Sequence, residues 1–418
     1  MKMNWTKSVD ENQEMLWEIL SCLISFETVS PPGRNSDGVQ AYIYNFLSEL
    51  GAELEQWEMY SGDSLLVGVI PGKRRKEAKS LILNGHVDVA VVGDTSNWTH
   101  PPFELTEENG FLYGRGTADM KGAMACALYS VWLLKKYGVK LGGDLQIQSV
   151  IGEEAGEAGT RAILERGYKA DFGICMDTSN LEIQGQGGVI TAWITVKSKD
   201  VFHDAVRRNL IHPEGGIFGA SAIEKMQDVI QSLRELEEIW YETKSYSGFE
   251  RGVNTINPAV IEGGRNAAFV ADECKLWVTV HFYPNESYES VIKEVEEHLQ
   301  KLANKDPWFR ENPIQFKWGG KSMIEERGEI FPSAEIEKDS EAVRLLCSVH
   351  EVCLSKKANV NMNPSVTDVG WLVHGGIPSV LYGPGCPEEA HSVDECVEMQ
   401  QLLDYSAILL EFMEKWCI

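Results

Sequence analysis

Apolar and polar positions along the first 180 residues switch repeatedly between two periods. Over 11–27 and 39–50 apolar residues recur at three- and four-residue intervals, the spacing of one helix face. Unbroken apolar runs at 65–70 and 81–83 have strand length instead. Beyond a loop rich in glycine and polar residues, 121–137 reads as a helix with small residues on one side, followed by a strand at 145–151, a short helix at 160–166 and a strand at 172–176. This alternation predicts an α/β domain whose parallel or mixed sheet is flanked by helices on both faces, with ligands beyond the carboxyl ends of its strands.

The pattern changes after Gly185, Gly187 and Gly188. A half-exposed strand at 189–196, a long helix at 220–239, strands at 255–261 and 275–282 and a helix at 288–302 describe a small one-sided α+β sandwich. Past Gly319–Gly320 and the charged EERGE stretch, helices at 340–354 and 394–415 enclose a strand at 378–381, resuming the α/β pattern. The expected organisation is one domain from 1–186 and 322–418, with 187–321 inserted.

At 418 residues with 43% hydrophobic and 24% charged content, the chain is long enough for two cores. The net charge of −25 argues against nucleic-acid or anionic-membrane partners, which need a basic footprint. No segment has the apolar core of a signal peptide or approaches the roughly 20 apolar residues of a membrane span, so a cytoplasmic protein is expected. Nine scattered cysteines without a C-x-x-C pair signal neither a thiolate zinc site nor a disulfide framework.

The candidate chemistry lies at the ends of the apolar runs. His86 follows LILNG, and Asp88, two residues on, is placed to hold the imidazole's other nitrogen. Asp119 stands in GRGTADMKG just before a helix, where a carboxylate also has a bland explanation in capping and the helix dipole. Glu153-Glu154 leave the strand at 145–151; in an extended backbone they would point to opposite sides, one towards a metal and one towards substrate. Asp177 ends FGICMD, and His391 follows the strand VLYG. Each residue alone is ordinary, but four strand ends delivering His, Glu-Glu, Asp and His to one sheet edge are hard to explain by packing. Carboxylates with imidazoles and no thiolates suit Zn²⁺, with Co²⁺ or Mn²⁺ as alternatives.

The series GHVDV, GRGTADMKG, GEE, the strand-ending acid and the late His resembles the aminoacylase, carboxypeptidase G, acetylornithine deacetylase and succinyl-diaminopimelate desuccinylase family of two-metal hydrolases, over nearly the whole chain. The resemblance implies a zinc-exopeptidase-like catalytic domain with an inserted dimerisation lid, and a homodimer acting on a small amide. It implies that Asp119 bridges two metals, that His86 and Asp177 complete one site, that Glu154 and His391 complete the other, and that Glu153 is the general base. His203, with His212 as rival, matches the lid histidine that reaches the partner's active site; read without the family it caps a loop.

On the lid strand, where members acting on amino-acid amides carry D-x-R-x-x-P, this chain reads VTVHFYP, with His281 at the arginine position. With the FHDA and FGASA segments this is most similar to the branch that deformylates an N-formyl aminomethylpyrimidine in thiamine salvage, and Phe202, Phe218 and Phe282 are candidates either to stack on such a ring or to fill the core. Deacylation of N-acyl amino acids, dipeptidase activity and an inactive binding protein of the same fold are the competing expectations.

Overall fold

The computed structural model describes residues 3–75, 77–211 and 217–418. It forms two compact units, Met1–Gln186 with Ala334–Ile418, and Gly187–Ser333. The return to the first unit falls twelve residues later than the glycine pair suggests: Ile330–Phe331 still pairs with Gly188–Lys197, and Ala334 is the first residue to bridge back to Gln186.

An eight-stranded mixed sheet centres the first unit, in the order Glu53–Tyr60, Asp63–Ile70, Leu145–Val150, Leu81–His86, Phe172–Cys175, Ser379–Leu381, Ile183–Gln186, Val360–Asn363. From Leu145–Val150 to Ser379–Leu381 the four central strands run parallel. Their carboxyl ends therefore share one edge. Leu81–His86 and Leu145–Val150 are buried at every position, which is why both read as continuous rather than alternating patterns. The antiparallel hairpin 53–70 adds an edge strand, Glu53–Tyr60, whose polar, half-exposed sequence gave no strand signal.

Lys121–Lys136 is the central helix, packed against Gln13–Ile24 and Met399–Trp416. Its burial explains the small residues seen in the sequence. The last helix begins at Met399 and not near 394, because Cys396–Glu398 is drawn into a three-stranded sheet with Phe111–Tyr113 and Thr106–Glu108. Among the described residues no helix is long and apolar enough to cross a membrane.

In the second unit Ile256–Gly263, Glu273–Phe282, Gly188–Lys197 and Gln315–Trp318 form an antiparallel sheet, with the helices Ala222–Thr243 and Tyr288–Lys305 contributing to a common core. Alternate residues of Glu273–Phe282 (Cys274, Leu276, Val278, Val280 and Phe282) are buried. Phe282 thus belongs to the core and is not free to stack on a ligand, whereas Phe218 is 36% exposed. His212, Gly215 and Gly216 lie outside the described residues.

Candidate metal centre

His86 ends its strand almost fully buried. Its Nδ1 lies 3.0 Å from the main-chain oxygen of Asp88, an atom that only accepts, so Nδ1 carries a proton and Nε2 is the nitrogen turned to the acids. Nε2 faces Asp119 Oδ1 at 3.2 Å and Asp177 Oδ2 at 3.7 Å. The partner of the imidazole is therefore Asp88's carbonyl; its carboxylate is 3.6 Å from Nδ1 and has another task. Asp88 Oδ1 accepts the N–H of Gly152 at 2.8 Å and Oδ2 that of Glu154 at 3.1 Å.

Those two hydrogen bonds shape the acidic pair. Glu153–Ala155 is a single 3-10 turn entered through Gly152 at φ 82°, a left-handed conformation that glycine adopts without a side-chain clash. The pair is consequently not extended, and a tight turn rather than strand alternation separates the two side chains. His86, Glu153 and Asp177 each bring one donor atom within 4.8 Å of the others, as do His86, Asp119 and Glu154.

Asp119 stands two residues ahead of the helix Lys121–Lys136. Its Oδ1 faces His86, and its Oδ2 lies 3.2 Å from His391 Nε2. One carboxylate thus spans two imidazoles, the arrangement a bridging ligand requires. His391 also meets Glu154 Oε2 at 2.8 Å. It arrives ten residues after the strand Ser379–Leu381, in a loop where its own φ is 62° and its side chain is 54% exposed, so a loop and not a strand end delivers it. That loop leaves the sheet through Gly383, where a Cβ would lie 2.2 Å from the carbonyl of Met176 and 2.3 Å from that of Asp177. Glycine alone lets the two segments approach this closely.

The electrostatics fit a strongly cation-seeking site. Burial would lower the pKa of His86, but Asp119 and Asp177 raise it well above the usual imidazole value. Asp119 and Glu154 raise His391 to about 10. Burial, reinforced by the Asp119 charge, pushes Glu154 up to about 7 and also lifts Asp177, while burial lifts Glu153 well above the carboxylate range. Asp119 goes the other way, since the two imidazoles outweigh its burial. Protons hold this cluster together where divalent cations would do so better. The donor set fits them: His86 Nε2, Asp119 Oδ1 and Glu154 Oε1 are all buried without a hydrogen bond of good geometry.

Residues 82–415 match peptidase family M20/M25/M40. The chain belongs to this family. It is 53% identical over 409 residues to N-formyl-4-amino-5-aminomethyl-2-methylpyrimidine deformylase of Halalkalibacterium halodurans, covering 98% of this chain and 96% of that protein. The Bacillus subtilis protein of the same name is 52% identical over 411 residues, with the same two coverages. Among solved structures, aminopeptidase PepT of Bacillus cereus shares the fold, with a TM-score of 0.70 at 17% identity, covering 97% of this chain and 99% of that one.

Within this M20 fold the ends of the central strands, together with the Asp119 and His391 loops, bring His86, Asp119, Glu153, Glu154, Asp177 and His391 together, and Asp88 ties the His86 segment to the Glu153-Glu154 turn. His203 and His281 belong to the second unit. Asp368, which follows the strand Val360–Asn363, is buried, and burial raises its carboxyl to about 7. Its Oδ2 accepts the hydroxyl of Thr160 at 2.8 Å, and it adds to the charge felt by Glu153. Arg115 and Glu395, a buried ion pair, escaped the sequence reading because a lone charged residue in a loop carries no pattern. If Asp119 bridges two ions, replacing it with Ala should abolish the uptake of two equivalents of added Zn²⁺ by metal-stripped protein, because one carboxylate would be lost from both coordination spheres. Metal analysis after dialysis is the measurement, and two equivalents retained would rule out a bridge.

Proposed function

We propose that the chain hydrolyses the formyl amide of N-formyl-4-amino-5-aminomethyl-2-methylpyrimidine, releasing formate and the aminomethylpyrimidine, with two zinc ions at the reacting carbonyl. The observation that carries this reading is the near full-length similarity to two relatives named for that activity. His281 supports it. Burial lowers the pKa of this half-buried imidazole below its ordinary value, so it is neutral at pH 7 and cannot grip a carboxylate with the paired bonds of a guanidinium. A substrate without an α-carboxylate needs no such grip.

In this reading His86, Asp119 and Asp177 hold one ion, while Asp119, Glu154 and His391 hold the other. When bound, the ions bring a water's pKa towards neutrality and polarise the formyl carbonyl. Glu153 takes the proton from that water as its oxygen adds to the formyl carbon, then delivers it to the nitrogen as the C–N bond breaks. Asp88 keeps the imidazole of His86 and the Glu153-Glu154 turn in register. Burial lifts the Glu153 carboxyl above its usual range, and two cations beside it would oppose that lift and keep it ionised as the base.

The second unit acts as a dimerisation lid. Ile256–Gly263 is an edge strand, and Ile261 and the neighbouring Ile223 are 55% and 45% exposed, an apolar edge suited to a two-fold contact with a second copy. His203 caps the turn Asp204–Asn209 through Nδ1, which lies 3.1 Å from the N–H of Ala205 and 2.9 Å from Asp204 Oδ1. Nε2 is the atom left over. We assign it to the oxyanion in the partner's site, a role compatible with the cap because it uses the other nitrogen.

Glu153→Gln should keep its metal and fold but lose at least ~10²-fold in kcat, measured as formate release; undiminished turnover would remove it from the mechanism. Inactive His203→Ala subunits mixed with inactive Glu153→Gln subunits should regain activity, because one site of each mixed dimer is intact. Verified mixed dimers that stay inactive would leave His203 as a cap only. Finally, kcat/KM for the formylaminomethylpyrimidine should exceed that for N-acetylornithine and N-succinyl-diaminopimelate, with His281→Arg shifting the ratio towards the two carboxylate-bearing amides. A wild-type preference for either amino-acid amide would defeat the pyrimidine assignment.

A further inference from the structure

The two proposed ion positions are not built alike. His86 and Asp177 are buried, on or directly after central strands, whereas His391 is half-exposed on a long loop with a left-handed backbone. Something besides the sheet must hold it. Arg115 and Glu395 are buried beside it, with Arg115 Nη1 2.5 Å from Glu395 Oε2. Neither residue touches a reacting group.

Three main-chain N–H groups, those of Gly116, Ala118 and Asp119, converge on Glu395 Oε1 at 3.0, 2.9 and 3.0 Å. The loop ending in Asp119 is thereby wrapped around a single oxygen. On the other side of the pair, Arg115 Nη2 donates to the main-chain oxygen of His391 at 3.2 Å and to that of Val91 at 3.1 Å. Glu395's own carbonyl accepts the N–H of Gly114 at 2.9 Å, closing the loop on the chain four residues past His391. A charged acceptor fixing three amides and a planar donor fixing two carbonyls determine backbone position far more tightly than packing on an exposed loop could.

We propose that the Arg115–Glu395 pair is the positioning element chiefly for the second ion, setting the distance between Asp119 and His391, while the first position shares only Asp119 with it and keeps His86 and Asp177 without it. This rests on the two-ion reading above. The asymmetry follows from the contacts. His86 and Asp177 are fixed by the sheet, by the Asp88 carbonyl and by the Thr178 N–H that Asp177 Oδ1 accepts, and the pair touches none of these groups. Removing one partner would free the His391 loop and loosen the amide cradle behind Asp119, but would leave the first pocket's remaining ligands in place.

The test is calorimetric titration of metal-stripped protein with Zn²⁺, which reads each equivalent separately without turnover. Wild type should take up two equivalents, and His391→Ala identifies which of them uses His391. Arg115→Lys and Glu395→Gln should weaken the second equivalent about 10- to 100-fold, the usual scale for groups that orient a ligand, and the first, which shares only Asp119 with the pair, by a clearly smaller factor. Arg115→Met should be worse than Arg115→Lys. Near-UV circular dichroism checks the fold, and Glu395→Gln, which preserves side-chain volume, carries the comparison if the Arg115 variants do not fold. Equal weakening of both equivalents, or an unchanged second one, would overturn the pair's selective role. A wild type binding fewer than two equivalents would instead overturn the two-ion reading beneath it.

Discussion

Like charges confined in a small buried volume set the terms for the rest of the first unit. Asp88, Asp119, Glu153, Glu154, Asp177 and Asp368 all lie within electrostatic reach of His86 or of one another. Uncompensated, each buried carboxylate would cost several kcal/mol, and the group as a whole would drive its segments apart. Positive charge at the centre, from protons or from divalent ions, is what makes the arrangement tenable. Everything around it serves to keep flexible acids from relaxing away.

The means is main-chain hydrogen bonding at the ends of parallel strands. Asp88 ties the strand of His86 to the turn of Glu153 and Glu154; Asp177 is pinned by the next amide in the chain, and Thr178 Oγ1 donates to the carbonyl of Ala118, beside Asp119. Parallel pairing from Leu145–Val150 to Ser379–Leu381 brings the segments of His86, Glu153-Glu154 and Asp177 out at one edge with little conformational freedom, and the Asp119 loop is held beside them by Thr178 and Glu395. The His391 loop also lies off the strand ends, and its support comes from a buried ion pair rather than from the sheet.

A family fold does not fix a family substrate. A relative at 17% identity shares the architecture, so the fold alone leaves the acyl group open. His281 in the strand Glu273–Phe282 is a half-buried imidazole whose charge burial suppresses, and it is this position to which the proposed function ties the choice of substrate. The aromatic residues nearby are weaker indicators. Phe282, which the sequence left undecided between ligand and core, is core.

Most of the proposed ligand set could be picked out in the sequence because its chemistry is written locally: His86, Glu153, Glu154 and Asp177 closely follow buried strands with continuous apolar runs, whereas Asp119 and His391 come from loops. The inserted unit was legible for a similar reason, since strict alternation in Glu273–Phe282 and the helical period of Ala222–Thr243 need no distant information. Other features were decided only in three dimensions. The polar edge strand Glu53–Tyr60 exists because Asp63–Ile70 offers it a hydrogen-bonding partner, and the unit boundary moved to Ser333 because Ile330–Phe331 finds Gly188–Lys197. The turn at Glu153 depends on a carboxylate more than sixty residues earlier, and the Asp119 loop on one nearly 280 residues later. Residue type and period report what a side chain is and which way its backbone faces; which distant amide a buried carboxylate must satisfy is fixed only when tertiary folding has excluded water from both.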